Sequence, residues 1–358
     1  MNLKRSGSRM LNIYTTEEKL VEITLEGGDW LNIINKLHKV TICNDSAEEE
    51  WDITNDVLLS LHRAQTIIDV DNELIKDINN DPSHVRELSN PIYILDVNEK
   101  EAQAIAEKYG VIFLPSVHTP EPVVAKNGWD IDTSDSEIPN NWEYFLNGIE
   151  TPFHALAIVD RYFFSSQVGE TFVDAISNLR GILNTLLPDK GKPVHNMTVS
   201  IIFDETKADA GYDMAKIATE VNKVKKSLVN KAPFNMELFA VNSNCYRYED
   251  THDRFIISNY FVISASHKLK AYRPTDDDGD SLCNQILTFN YLYSKGLAEG
   301  DRSSAPVKTQ DRVIFALCEA FHTSKKEITY AVNGQTKRKG DIQLNNELFC
   351  TSADRLHR

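Results

Sequence analysis

Short apolar runs with strand character alternate along this chain with longer stretches whose apolar residues recur at helical spacing. The rhythm is clearest in the second half. Residues 154–164 (HALAIVDRYFF) predict a buried strand, and 170–188 an amphipathic helix ended by Pro188. A strand is expected over 198–204, a helix over 213–231 and a third strand over 235–242. Strands separated by helices of this length call for a parallel sheet built from right-handed crossovers. The rhythm then changes, because 254–260 (RFIISNY) and 261–266 (FVISAS) follow directly with no room for a crossover. They should form a hairpin or one bent strand pair. Helices are expected over 281–296 and 311–324, then a turn at Asn333 and Gly334.

Before residue 118 the clearest unit is a strand at 92–97, a helix at 99–110 and a strand at 111–116, punctuated by Gly110 and Pro115. Upstream, 29–43 and 51–71 each read as a helix followed by a strand. The segment 119–150 is rich in Pro, Asn, Asp and Ser and keeps no apolar period, so it reads as a linker or long connection. Its Trp129 and Trp142 suggest that it is packed down. The expected fold is α/β with two domains: 1–118, then the connection, then 151–358 with a mostly parallel sheet and a helical extension.

Composition supports two cores, since 358 residues exceed the size at which single cores stop growing. Hydrophobic residues at 41% and charged residues at 25% are ordinary globular proportions. No apolar run is long enough to span a bilayer, and no apolar region follows the basic residues of the N-terminus. The five widely spaced cysteines form no CxxC pair. A cytoplasmic location, reduced thiols and no membrane partner are the expectations. A net charge of −15 argues against a general nucleic-acid coat but leaves room for a local basic patch. Lysines and arginines do collect at Lys223, Lys225, Lys226 and Lys231, and at Lys325, Lys326, Lys337, Arg338 and Lys339. Solvated helix or turn faces are the expected reading of both groups, with a local basic patch as the alternative.

The most suggestive chemistry lies at THDRFIISNYFVISAS (251–266). His252, Arg254 and Asn259 are followed by the small residues Ser264, Ala265 and Ser266. This resembles the HxK(x)4D motif, followed by small residues, of the phospholipase D superfamily, whose half-domain is also a βαβαβ unit leading into a strand pair. The resemblance covers roughly 150–270. It implies His252 as nucleophile, Arg254 as phosphate clamp, Asn259 in the place of the orienting acid, and Ser264 and Ser266 against the substrate. Arginine is a competent phosphate ligand. Asn259 departs further, because an amide cannot stabilise an imidazolium as a carboxylate does. Asp253 should point to the opposite side of an extended strand. The family uses two histidines, and the other HxR, His84 to Arg86, reads as a turn, so an active phosphodiesterase would be a homodimer.

A separate route to phosphodiester hydrolysis would use Asp160, Asp204 and Glu205, which end two predicted strands where parallel sheets hold their ligands. Such carboxylates could bind Mg²⁺, although strand-end acids also serve as caps and turn formers. Arg161, directly after Asp160, is placed in sequence to neutralise it. No P-loop, GxGxxG, GxSxG or HExxH occurs. Three functions follow as expectations: a phosphate or nucleic-acid binding protein with an altered phospholipase D-like site and no cofactor, a non-catalytic module for a protein partner, or a Mg²⁺-dependent nuclease. A bacterial defence setting is an expectation drawn from the general style of the chain and from no particular residue.

Overall fold

The computed structural model describes residues 12–26, 39–43, 67–86, 90–115, 128–132, 141–146, 148–149, 151–165, 171–246, 248, 254–266, 269, 286–292 and 306–349. The helices expected within 29–38 and 51–66 lie outside them. So do His252 and Asp253.

The first sheet takes strands β1 (Asn12–Thr15), β2 (Lys39–Ile42), β3 (Ile67–Val70), β4 (Pro91–Ile94) and β5 (Ile112–Leu114). Helices α1 (Glu17–Glu26), α2 (Leu74–Asn80) and α3 (Glu99–Tyr109) lie between them in sequence. The strand order is β3-β2-β1-β4-β5, every pair parallel, so the order reverses between β1 and β4 as in doubly wound sheets. A strand's two-residue period splits its apolar side chains between two faces. Ile13, Ile92, Ile94, Ile112 and Leu114 enter the main core. Tyr14, Tyr93, Leu95 and Phe113 enter a smaller core with Leu74 and Ile78 of α2 and Ala102, Ile105 and Tyr109 of α3. Tyr14, Tyr93 and Phe113 sit in register on neighbouring strands and stack with centroids 5.2 Å apart. Asn98 caps α3 by accepting from the Glu101 N–H, and Gly110 ends it at φ 64°.

The second sheet contains β6 (Trp129–Asp132), β7 (Ala155–Val159), β8 (Thr198–Phe203), β9 (Asn235–Ala240), β10 (Arg254–Ser258), β11 (Phe261–Ala265), β12 (Ile286–Tyr291), β13 (Thr329–Val332) and β14 (Gln335–Thr336). Its order is β14-β13-β9-β8-β7-β10-β11-β12-β6. The predicted βαβαβ unit is present: β7, β8 and β9 are parallel, joined through α5 (Phe172–Leu186) and α6 (Met214–Ser227). A capping box at Thr171 and Asp174 starts α5. The hairpin of β10 and β11 is antiparallel as expected, and Asn333 and Gly334, at φ 49° and 86°, make the turn between β13 and β14. The second helix expected near the C-terminus is α7 (Pro306–Thr323).

Three expectations change. The sheet is mixed rather than mostly parallel, because every strand outside β7, β8 and β9 pairs antiparallel to its neighbours. The described part of 281–296 is strand β12, not helix; Leu287, Phe289 and Tyr291 are buried at a spacing of two, which the surrounding polar residues concealed. The 119–150 segment supplies the edge strand β6 and helix α4 (Trp142–Leu146), with Trp142 fully buried and donating through Nε1 to Asn178.

One apolar cluster runs from the inner face of the first sheet through the second. Polar contacts cross the same junction. Tyr260 donates to the Pro91 carbonyl at 2.6 Å and accepts from the Ile112 N–H, while Arg86 pairs with Glu347 at 2.6 Å.

Candidate functional site

In a parallel sheet every carboxyl end faces the same way, and side chains that follow the strands converge there. At the carboxyl edge of β7, β8 and β9 the chain places Asp160, Arg161 and Tyr162 after β7, Asp204 after β8, and Ser243 after β9. Because β10 runs antiparallel to β7, its first residue, Arg254, arrives at the same edge.

Two ion pairs organise this edge. Arg254 Nε stands 3.6 Å from Asp160 Oδ1, and Arg161 Nε stands 3.5 Å from Asp204 Oδ2. Arg161 therefore serves the carboxylate of the next strand rather than the Asp160 beside it, because the chain leaves β7 in a turn over residues 161–164 that carries Arg161 toward the end of β8. The carboxylates are deeply buried, Asp160 4% exposed and Asp204 1%, whereas both arginine side chains keep about a sixth of their surface open (17% and 18%). Further bonds hold the acids: Asp160 accepts from the Tyr162 N–H at 2.8 Å, and Asp204 from Thr206 Oγ1 and Ser243 Oγ, each at 2.7 Å. Asp204 also caps the short turn Glu205–Lys207.

Both guanidinium carbons lie over the Tyr162 ring, at 5.4 Å for Arg161 and 5.7 Å for Arg254. The Tyr248 ring is 6.0 Å from that of Arg161. Tyr248 is buried, donates to the Val241 carbonyl, and has its phenol pushed well up by burial and then by Asp204, so it stays protonated. The result is two cations converging on one aromatic ring with their counterions behind them.

The remaining predicted site residues are distributed differently. Asn259 lies at the far end of β10, only 3% exposed. Its Oδ1 accepts from the N–H groups of His154 and Ala155, at 3.3 and 2.9 Å, and its Nδ2 is 3.1 Å from His154 Nε2. Asn259 thus seals the junction between the sheets, a strand's length from Arg254. Ser264 and Ser266 share the Arg254 end of the hairpin, where Arg254 faces Ala265. Their positions alternate with Ala265, which turns both side chains to the sheet face opposite Arg254. Ser266 instead ties β11 to β12, accepting from the Ile286 N–H and donating its own to the Ile286 carbonyl.

For the metal reading, Asp160 and Asp204 do reach one edge, while Glu205 begins the turn that follows and is half-buried. Among the described residues no group of three or more His, Cys, Asp or Glu could hold a metal ion. The His84 to Arg86 segment is a short 3-10 turn, as expected, and its Arg86 is buried against Glu347. Tyr162, Ser243 and Tyr248 carried no signal as site members in the sequence, and Arg161 was read only as a partner for Asp160; the order of the strands collects them.

Among the described residues no helix is long and apolar enough to cross a membrane. Compared with protein-family models and with curated proteins, the chain matches none.

Proposed function

We propose that the carboxyl edge of β7, β8 and β10 binds a phosphoryl group of a phosphodiester, such as a nucleic-acid backbone, through Arg161 and Arg254 and without a metal ion. One observation carries this reading: the two guanidinium groups stand beside the same Tyr162 ring, each with its Nε within 3.6 Å of a buried carboxylate, Asp204 for Arg161 and Asp160 for Arg254. A guanidinium is the side chain best matched to a phosphate, and one already oriented loses little freedom on binding. With arginine nitrogens against both carboxylates, cation binding would have to displace an ion pair. The phospholipase D resemblance supports the same ligand class, since it implies a phosphate clamp at Arg254. It also implies His252 as the group that would turn a binding site into a phosphodiesterase.

The test is binding of a 5′-phosphorylated dinucleotide by calorimetry in the presence of EDTA. Wild-type protein binds it, and Arg254→Ala and Arg161→Ala each weaken it by about tenfold, the loss expected for a charge-assisted hydrogen bond. Binding that requires Mg²⁺, or that survives both substitutions in folded protein, overturns the reading. Turnover by wild type that disappears in His252→Ala would add catalysis to the same site.

A further inference from the structure

The two lysine-rich sequence groups fall at opposite ends of the hairpin of β13 and β14. Lys225 is held at the Asn333 turn, donating to Asn333 Oδ1 at 2.6 Å, so the first group sits at the amino end of β9. The second group lies at the other end. Lys325 and Lys326 are in the short turn Lys325–Glu327 just before β13, and Lys337, Arg338 and Lys339 follow β14. Thr329 pairs with Ala240, the last residue of β9, so this end coincides with the carboxyl edge that carries the arginine pairs. The two segments touch: a Cβ at Gly340 would stand 3.8 Å from Lys326 Cα. Lys337 is anchored by its N–H to the Tyr330 carbonyl at 2.8 Å.

All five cations are exposed, and none forms an ion pair with any described residue. The nearest carboxylates in sequence, Glu327 and Asp341, are exposed and fewer. In a chain of net charge −15, such a concentration on one sheet edge creates a local field opposite in sign to the rest of the molecule.

We infer that this rim, Lys325, Lys326, Lys337, Arg338 and Lys339, is a docking surface for the sugar-phosphate backbone of a nucleic acid. Lysines on exposed turns supply charge without base recognition, which suits contact with phosphates irrespective of sequence. From β13 to β7 is three strand spacings, about 14 Å, or the rise of roughly four nucleotides of one strand. A strand lying along the carboxyl edge would therefore meet the rim and then the Arg161 and Arg254 pair. Neither basic segment presents an exposed large apolar side chain, the group a lipid surface would take up beside lysines. The rim does not depend on the arginine pair being a phosphate site, and the two are separable by probe length.

Fluorescence anisotropy with single-stranded and duplex oligonucleotides of unrelated sequence tests the rim, with the 5′-phosphorylated dinucleotide as the short probe. For the full chain carrying Lys337→Glu, Arg338→Glu and Lys339→Glu, oligonucleotide affinity falls at least tenfold for every sequence. The slope of log K against log salt flattens by about 2 on single strands, at about 0.7 per phosphate contact. Dinucleotide binding is unchanged, whereas Arg254→Ala weakens the dinucleotide and flattens the salt slope by only about 0.7, the share of one phosphate contact. Lys325→Glu with Lys326→Glu repeats the effect from the second segment, and Lys223→Glu, on a lysine already paired with Glu220, does not. Melting temperatures establish that the variants are folded. Unchanged affinity and slope in the triple variant, no oligonucleotide binding by wild type at low salt, or preferential binding of polyglutamate or anionic vesicles would each overturn the inference.

Discussion

Replacing Asn259 by aspartate separates the motif from the structure. By motif, Asn259→Asp restores the missing acid and should promote catalysis. By structure, it exchanges an amide nitrogen 3.1 Å from His154 Nε2 for a carboxylate oxygen at a position 3% exposed. Glu347 Oε2 already stands 2.9 Å from the same Nε2, and the other imidazole nitrogen faces the Gly110 carbonyl at 3.0 Å. Two carboxylates would then share one imidazole that burial holds below its ordinary pKa, with Glu347 pulling the other way. An uncompensated charge in such a place costs about 3–5 kcal/mol. Retention of the two backbone N–H bonds to Oδ1 puts the expected loss at the lower end, about 3 kcal/mol at pH 8. A second carboxylate raises the folded pKa of His154. Stability from the resulting imidazolium is present at low pH and lost as pH rises through that folded value, so the deficit shrinks toward pH 5.5. Urea denaturation followed by tryptophan fluorescence at both pH values measures this, alongside a phosphodiesterase assay. A variant as stable as wild type at pH 8, or one that gains turnover, would refute the reasoning.

Three further outcomes are expected. Gly110→Ala should cost at least about 2 kcal/mol, because a Cβ would stand 2.5 Å from the Phe153 carbonyl oxygen and the φ of +64° disfavours a side chain; a melting temperature equal to wild type would contradict the junction described above. In wild type, His154 sits below its ordinary pKa of about 6.5, so the unfolded chain binds a proton that the fold resists. Stability should therefore fall as pH drops below about 6.5, and the His154→Gln variant should show a smaller fall over the same range. The Cys43 thiol is buried and pushed up to about 12. Peptide mapping after alkylation at pH 8 should find it unmodified in native protein and modified in urea, and native labelling would show that the site opens.

Local regularities made much of the fold legible. Gly110, Pro188 and the Asn333-Gly334 pair are stop and turn signals whose meaning needs no tertiary context, and each falls where the structure has an end or a turn. The expected helix at 281–296 shows where local reading gives out: Leu287, Phe289 and Tyr291 alternate within a run whose neighbours also suit a helix, and the decision falls to pairing with β11 and β6. Glu237 was likewise invisible. It is a fully buried acid on β9 whose carboxyl accepts from Ser200, Tyr330 and Asn345, partners 37 to 108 residues away.

The same division holds at the candidate site. By itself the sequence determined the α/β class, the βαβαβ unit, the hairpin after it and the presence of Asp160, Asp204 and Arg254 at strand ends, because side-chain periodicity and turn chemistry act over a few residues. Which arginine meets which acid was decided only by tertiary structure: β8 and β10 flank β7, so Arg254 crosses to Asp160 and Arg161 to Asp204. The tertiary fold also carried Asn259 away from the motif it completes on paper and into the seam with His154. A motif fixes spacing along the chain, whereas an antiparallel strand of five residues puts its two ends on opposite edges of the sheet.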